Sequence, residues 1–114
     1  MSLDIYLVNN CCEHCGRRDS VYCDDLNTTH NLGKMAYEAN LYKYTWGAED
    51  NNYTTDDVIE HLEKGLNDLK ARPDYYKQWD APNGWGLHHH LVKFIERYLQ
   101  VCKDNPGCKI ICSR

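Results

Sequence analysis

Hydrophobic and polar positions alternate at the start of the chain. Leu3, Ile5 and Leu7 are separated by Asp4 and Tyr6. This period of two predicts a strand over Leu3–Val8 with one buried face. Residues 9–27 hold little to bury beyond Val21, Tyr22 and Leu26, so they read as loop with a brief second strand over 21–26. A helical period follows. Leu32, Met35, Ala36 and Ala39 recur at helical spacing after Thr28 and Thr29, either of which can cap the free amides, and Asn40 supplies a left-handed stop. Gly33 interrupts that pattern at a cost of about 1 kcal/mol relative to alanine, which predicts a close approach by a neighbouring group.

Residues 41–53 are aromatic and irregular. Thr55 is expected to cap a second helix, with Asp56 and Asp57 in its first turn, where the helix dipole favours negative charge. Val58, Ile59, Leu62, Leu66 and Leu69 form its apolar stripe, and Pro73 ends it. A second aromatic connection closes on Pro82-Asn83-Gly84-Trp85-Gly86, a strong turn signal. The third helix spans about Leu87 to Lys103, with Leu91, Phe94, Ile95, Tyr98, Leu99 and Cys102 on one face. After an Asn105-Pro106-Gly107 turn, Cys108–Ser113 alternates as a final strand. The expectation is a single α+β domain over residues 1–114. Three helices pack with a small sheet formed by the N- and C-terminal strands, and a zinc-knuckle-like loop spans about 9–31.

Charge narrows the partners. Seventeen acidic side chains against 13 basic ones give a net charge of −4, which argues against a non-specific nucleic-acid binder. No apolar run approaches the length of a membrane span, so no membrane partner is expected. The first residues lack the basic segment of a secretory signal, so the expected compartment is the cytoplasm, where thiols stay reduced.

Reduced thiols turn the seven cysteines toward metal. Cys12-x-x-Cys15-Gly16 has the form of a zinc knuckle: two thiolates bite one ion from a tight turn. With Cys23 and His30 they would complete a tetrahedral zinc site, and Cys11, His14 or a C-terminal cysteine could replace one of the named ligands. Four protein ligands would make the zinc structural; three would leave a position for a catalytic water. Ordinary cysteines in a polar loop are the plain alternative, and a thiol redox switch is a smaller one. Cys102 reads as a core residue. Cys108 and Cys112 lie roughly 13 Å apart along a strand, too far to bridge each other.

A second constellation lies before the third helix. The glycine-rich turn with Asn83 and Trp85 suits an anionic group at a helix start, with the indole free to stack on a ring. A tight turn with a core tryptophan is the simpler reading. His88, His89 and His90 cannot converge on one ion, because successive helical residues project about 100° apart. They read as partly exposed helix-start residues, one of which could join a pocket with the Asn83–Gly86 loop.

Leu3-Asp4-Ile5-Tyr6-Leu7, Thr29-His30-Asn31-Leu32-Gly33-Lys34-Met35-Ala36 and Asn83-Gly84-Trp85-Gly86 together resemble a group of short bacterial and phage proteins that has no assigned function. The resemblance spans nearly the whole chain. It implies a small cytosolic protein, phage-encoded and acting in the host cytoplasm, and brings no activity with it. It also raises His30 and Asn31 as candidates for a shared site. Two functional expectations result. One is a zinc-stabilised interaction module that recognises a protein or a small anionic ligand. The other is a small metal- or His-dependent enzyme using His30 and a pocket near Trp85.

Overall fold

The computed structural model describes residues 2–9, 19–21, 26–80, 84 and 86–113. Strand β1 (Ser2–Asn9) is the centre of an antiparallel sheet. Strands β2 (Asp19–Val21) and β3 (Asn27–Thr29) lie end to end along one edge of β1, pairing Leu7 with Val21 and Leu3 with Thr28. A turn of 3-10 helix (His30–Leu32) leads into α1 (Gly33–Glu38). Asn40, with φ of 59°, stops the chain in the expected left-handed conformation. A second 3-10 turn (Tyr42–Tyr44) opens the aromatic connection, and α2 (Thr55–Ala71) follows.

Pro73 does end α2, but it also starts α3 (Pro73–Tyr76), which the aromatic pattern hid. Proline suits the first turn of a helix, where its missing N–H is not needed. A third 3-10 turn (Lys77–Trp79) precedes α4 (His88–Asp104) and β4 (Lys109–Ser113). Strand β4 pairs with the other edge of β1, Asp4 opposite Ser113 through Val8 opposite Lys109. The terminal strands are therefore neighbours, as expected. The sheet has four strands but is three wide at any level. The fold is α+β with four α-helices rather than three.

The core follows the periodicities. Leu3, Ile5 and Leu7 are buried on one face of β1, and Val58, Leu62, Leu66 and Leu69 of α2 meet Leu91, Ile95, Tyr98 and Leu99 of α4 in one cluster. Ion pairs Lys70–Glu96 and Glu63–Lys103 run in opposite order along α2 and α4, which makes the two helices antiparallel. Tyr98 is fully buried and donates its hydroxyl to the Tyr44 carbonyl at 3.0 Å; burial, first of all, pushes its pKa well above the usual phenol value. Cys102 is a core residue, its thiol pushed up to about 12 by burial, which makes it inert as a nucleophile.

Two expectations need correction. Thr54, not Thr55, precedes the first turn of α2, and its N–H donates to the Asp57 carboxylate at 2.9 Å. The Thr55 hydroxyl instead donates to the Asn105 carbonyl at 2.7 Å and accepts the Cys108 N–H at 3.1 Å, tying α2 to the start of β4. Gly33 is not a point of close approach: a Cβ there would sit 3.7 Å from Tyr42, an ordinary contact. The glycine that is crowded is Gly65, on the buried side of α2 against Leu41. No described helix is long and apolar enough to cross a membrane.

Candidate functional site

The edge of the sheet formed by β3 is one wall of a cleft. Alternation fixes what that wall shows. Thr28 stands opposite Leu3 and so shares the core-side face, while Asn27 stands opposite Asp4 on the other face. There the Asn27 amide donates to the Asp4 carboxylate at 2.6 Å, which holds that charge away from the core side. Thr29 ends the strand in extended conformation, and its hydroxyl oxygen accepts the Asn31 N–H at 3.3 Å.

A second wall is Gly84 and Gly86. At Gly86 φ is +123°, a backbone conformation open to glycine and costly for other residues. A Cβ there would lie 3.0 Å from Asn31 Cβ and 3.2 Å from Thr29 Cγ2. The Thr29–Asn31 segment and the glycine-rich turn, more than fifty residues apart in sequence, therefore meet in space through a contact that only glycine allows.

The third wall is α4. His90, Lys93, Phe94 and Arg97 fall at helical spacings of three and four, which places them on one stripe. The three walls border an open cleft of about 680 Å³. Phe94 supplies an apolar surface and is otherwise part of the core. No acidic side chain is among the described lining residues. Glu96, on the same helix, turns to Lys70 at 3.4 Å, and Lys93 forms no ion pair among the described residues. His90 Nδ1 accepts the Leu87 N–H at 3.0 Å, so in the neutral ring the proton sits on Nε2 as a donor.

Thr28 lines the cleft and is 7% exposed, and its hydroxyl is not a buried atom left without a partner. The other buried polar side chains are all satisfied: Thr45 by the Leu41 carbonyl, Thr55 by Asn105, and His88 by the Leu69 carbonyl at 2.8 Å.

His30 is placed elsewhere. The Trp46 indole N–H donates to His30 Nδ1 at 2.8 Å. An indole can only donate, so Nδ1 accepts and the ring proton sits on Nε2. That Nε2 atom is buried with no hydrogen-bond partner. In this arrangement His30 presents a proton where a zinc ligand must present a lone pair, so Trp46 would have to release the ring before Nε2 could ligate.

Of the other expected site residues, Cys12, Cys15 and Cys23, their alternates Cys11 and His14, and also Asn83 and Trp85 lie outside the described residues. Among the described residues no group of three His, Cys, Asp or Glu side chains converges to hold an ion. Asn31 is exposed and lies against Gly86. The three histidines separate: His88 is buried rather than partly exposed, His89 and His90 are exposed, and His90 is the one that shares a cleft with Gly84 and Gly86. Of the C-terminal cysteines, Cys108 is buried and Cys112 donates its thiol to the Thr45 carbonyl at 3.1 Å. Sequence reasoning missed Thr28, Lys93 and Arg97. The two cations were readable as part of a His90, Lys93, Arg97 stripe on the outer side of a helix whose apolar face drew the attention.

Comparison with family models, with curated proteins and with solved structures finds no match for this chain, so its site is read from geometry and chemistry.

Proposed function

We propose that this chain is a binding module that holds a small organic anion in the cleft between β3 and α4. The observation that carries this reading is the Lys93–Arg97 stripe of α4 facing a glycine-lined cleft with no described acidic lining residue. The volume, about 680 Å³, is that of a site for an organic ligand rather than a bare ion. The cations give attraction, Phe94 gives apolar contact, and the glycines let a ligand come close to backbone amides. An acid–base role for His30 gains no support, since Trp46 occupies one ring nitrogen and the other is buried.

Zinc belongs to this proposal as a structural element. Cys12 and Cys15, with Cys23, supply thiolates at workable spacing, and the His30 tautomer favours Cys11 or His14 as the fourth ligand. The module would then be a small cytoplasmic protein whose metal orders the polar N-terminal segment.

The test of the cleft is a titration of ¹⁵N-labelled protein with three aromatic anions: benzoate, benzenesulfonate and phenyl phosphate. Saturable amide shifts centred on residues 27–29 and 90–97, weakened at least fivefold by Lys93→Gln for any anion that binds, are the expected result. Flat titrations with all three, or binding indifferent to Lys93→Gln, would overturn the reading.

A further inference from the structure

Resting on that reading, we infer that the cleft takes the free carboxyl terminus of a partner protein, added as a short strand along the outer edge of β3. The ladder between β1 and β3 sets what that edge offers. The Ile5 N–H donates to the Leu26 carbonyl at 2.9 Å, in register with Asp4 opposite Asn27 and Leu3 opposite Thr28. Ile5 and Leu26 are thus a hydrogen-bonded pair, and such pairs alternate along an antiparallel ladder. Thr28 therefore turns its N–H and C=O to Leu3, while Asn27 and Thr29 turn theirs away from β1. No described strand pairs with that outer edge. The Thr29 carbonyl serves the 3-10 turn that Thr29 caps. The edge is left with the Asn27 N–H, the Asn27 C=O and the Thr29 N–H, and all three residues of β3 line the cleft.

The acceptor in this set decides the ligand's chemistry. A simple anion has no proton to give the Asn27 carbonyl, whereas a peptide carries donor and acceptor at strand spacing. A chain end running parallel to β3 uses all three groups. One of its carbonyls accepts the Asn27 N–H, its last N–H donates to the Asn27 carbonyl, and its terminal carboxylate accepts the Thr29 N–H.

Why the chain ends there follows from Gly86. It packs against Thr29 and Asn31, so the glycine-rich turn bounds the cleft at the Thr29 end of β3 and an added strand stops at it. Charge selects the carboxyl end. Lys93 is a cation at neutral pH with no ion pair among the described residues, and no described lining residue is acidic. Arg97 already has an interaction of its own and is not counted. One cation matches one carboxylate, and His90 Nε2 adds a neutral donor. Alternation puts the last side chain of the added strand on the face shared by Thr28, where Phe94 offers an apolar surface, so an apolar terminal residue fits best.

The experiment compares probes on the wild-type protein by amide-shift titration at pH 7, so no variant has to fold. The reference probe is the tripeptide acetyl-Thr-Val-Val with a free carboxylate. It is expected to bind at least tenfold more tightly than benzoate and than its own C-terminal amide, and to slow hydrogen exchange at the Asn27 and Thr29 amides. Methylating the nitrogen of the last residue should weaken it at least tenfold, and methylating the middle nitrogen, which points away from β3, less than threefold. Glycine in the last position should weaken it at least fivefold. Benzoate binding as tightly as the peptide would overturn the peptide assignment and leave the anion cleft standing. Equal binding of acid and amide would overturn the carboxyl terminus, and equal binding of the two methylated peptides would overturn strand addition. Glycine tolerated in the last position would overturn the apolar preference. Tighter binding by the tripeptide with a free amino group than by the acetylated form would overturn the protein terminus in favour of a free peptide. Flat titrations with every probe, benzoate included, would overturn the anion cleft as well.

Discussion

Gly65 offers a test in which sequence and structure predict opposite signs. It stands in the interior of α2, where replacing glycine by alanine ordinarily stabilises by about 1 kcal/mol. The structure opposes that gain. A Cβ at Gly65 would lie 2.5 Å from Leu41 Cγ and 3.0 Å from Cδ1, with Cδ2 nearer still. Leu41 is fully buried, so it has no solvent to move into. Overpacking of this kind costs about 1–3 kcal/mol, and contact with the branch point of the side chain puts it at the upper end. Net destabilisation of Gly65→Ala is then about 2 kcal/mol, the difference of these two terms.

Urea denaturation measures it directly, and in a chain of this length a loss of about 2 kcal/mol corresponds to roughly 8 °C in Tm. The stronger form is a double-mutant cycle. Leu41→Ala alone should cost about 2–5 kcal/mol through lost burial and the cavity left behind. In that background the obstacle to Gly65→Ala is gone, and the same substitution should stabilise by up to about 1 kcal/mol. Gly33→Ala is the control, because it meets only an ordinary contact with Tyr42 and should be neutral or slightly stabilising. A stabilising Gly65→Ala in the wild-type background, or no change of sign when Leu41 is truncated, would refute the reasoning.

The remaining predictions concern a surface cluster, the turn and the metal. Arg72, then Tyr76, hydrogen-bond to Asp68 and hold its carboxyl below the usual carboxylate range, and burial and Asp68 push Tyr76 up to about 12. A depressed native pKa contributes stability above the unfolded carboxyl value and loses it as pH falls through the native one, so the gap between wild type and Asp68→Asn in urea midpoint should be present at pH 6 and close as pH falls below the ordinary carboxyl value; Asp68 is 38% exposed, so the gap is small. Tyr76→Phe should cost about 1 kcal/mol by the same assay. Gly86→Ala should both destabilise, by about 1–3 kcal/mol for the unfavourable φ, and weaken anion binding; unchanged binding would show that the turn does not shape the cleft. For the metal, elemental mass spectrometry of protein purified without a chelating column should give about one zinc per chain by the proposed tetrahedral site, abolished by Cys12→Ser or Cys15→Ser and kept in His30→Gln. Zinc lost in His30→Gln would restore His30 as a ligand, and zinc kept in both cysteine variants would remove the knuckle.

What the sequence made legible depended on whether a residue's role is local. The strand period of Leu3, Ile5 and Leu7, the stripe of α4 and the left-handed stop at Asn40 are set by neighbours within a few positions, and each appears where it was expected. Roles set by distant contacts were not legible. Gly33 and Gly65 look alike in sequence, and only the position of Leu41 makes one of them irreplaceable. Thr54 and Thr55 are equally good caps by residue type, and the choice falls to Thr54 because Thr55 is committed to the turn before β4, fifty residues later. The site divides in the same way. The Gly84–Gly86 turn with one neighbouring histidine could be read ahead of the third helix. The strand edge that completes the cleft came from pairing between β3 and β1, which no local pattern announces.

The same pairing links binding to stability. Phe94 belongs at once to the core and to the cleft, and Thr28 lies on the strand whose neighbour Leu3 is fully buried. Neither residue can reach the ligand unless β3 is docked on β1 and α4 on the sheet. The unfolded chain has no such arrangement, since its walls come from segments about sixty residues apart. A ligand of this cleft therefore binds the native state alone and stabilises it by about 2.7 kcal/mol at a concentration one hundred times its Kd. A short edge strand such as β3 contributes few hydrogen bonds of its own and is held mainly by its contacts. A ligand seated there as proposed would add contacts to both β3 and α4.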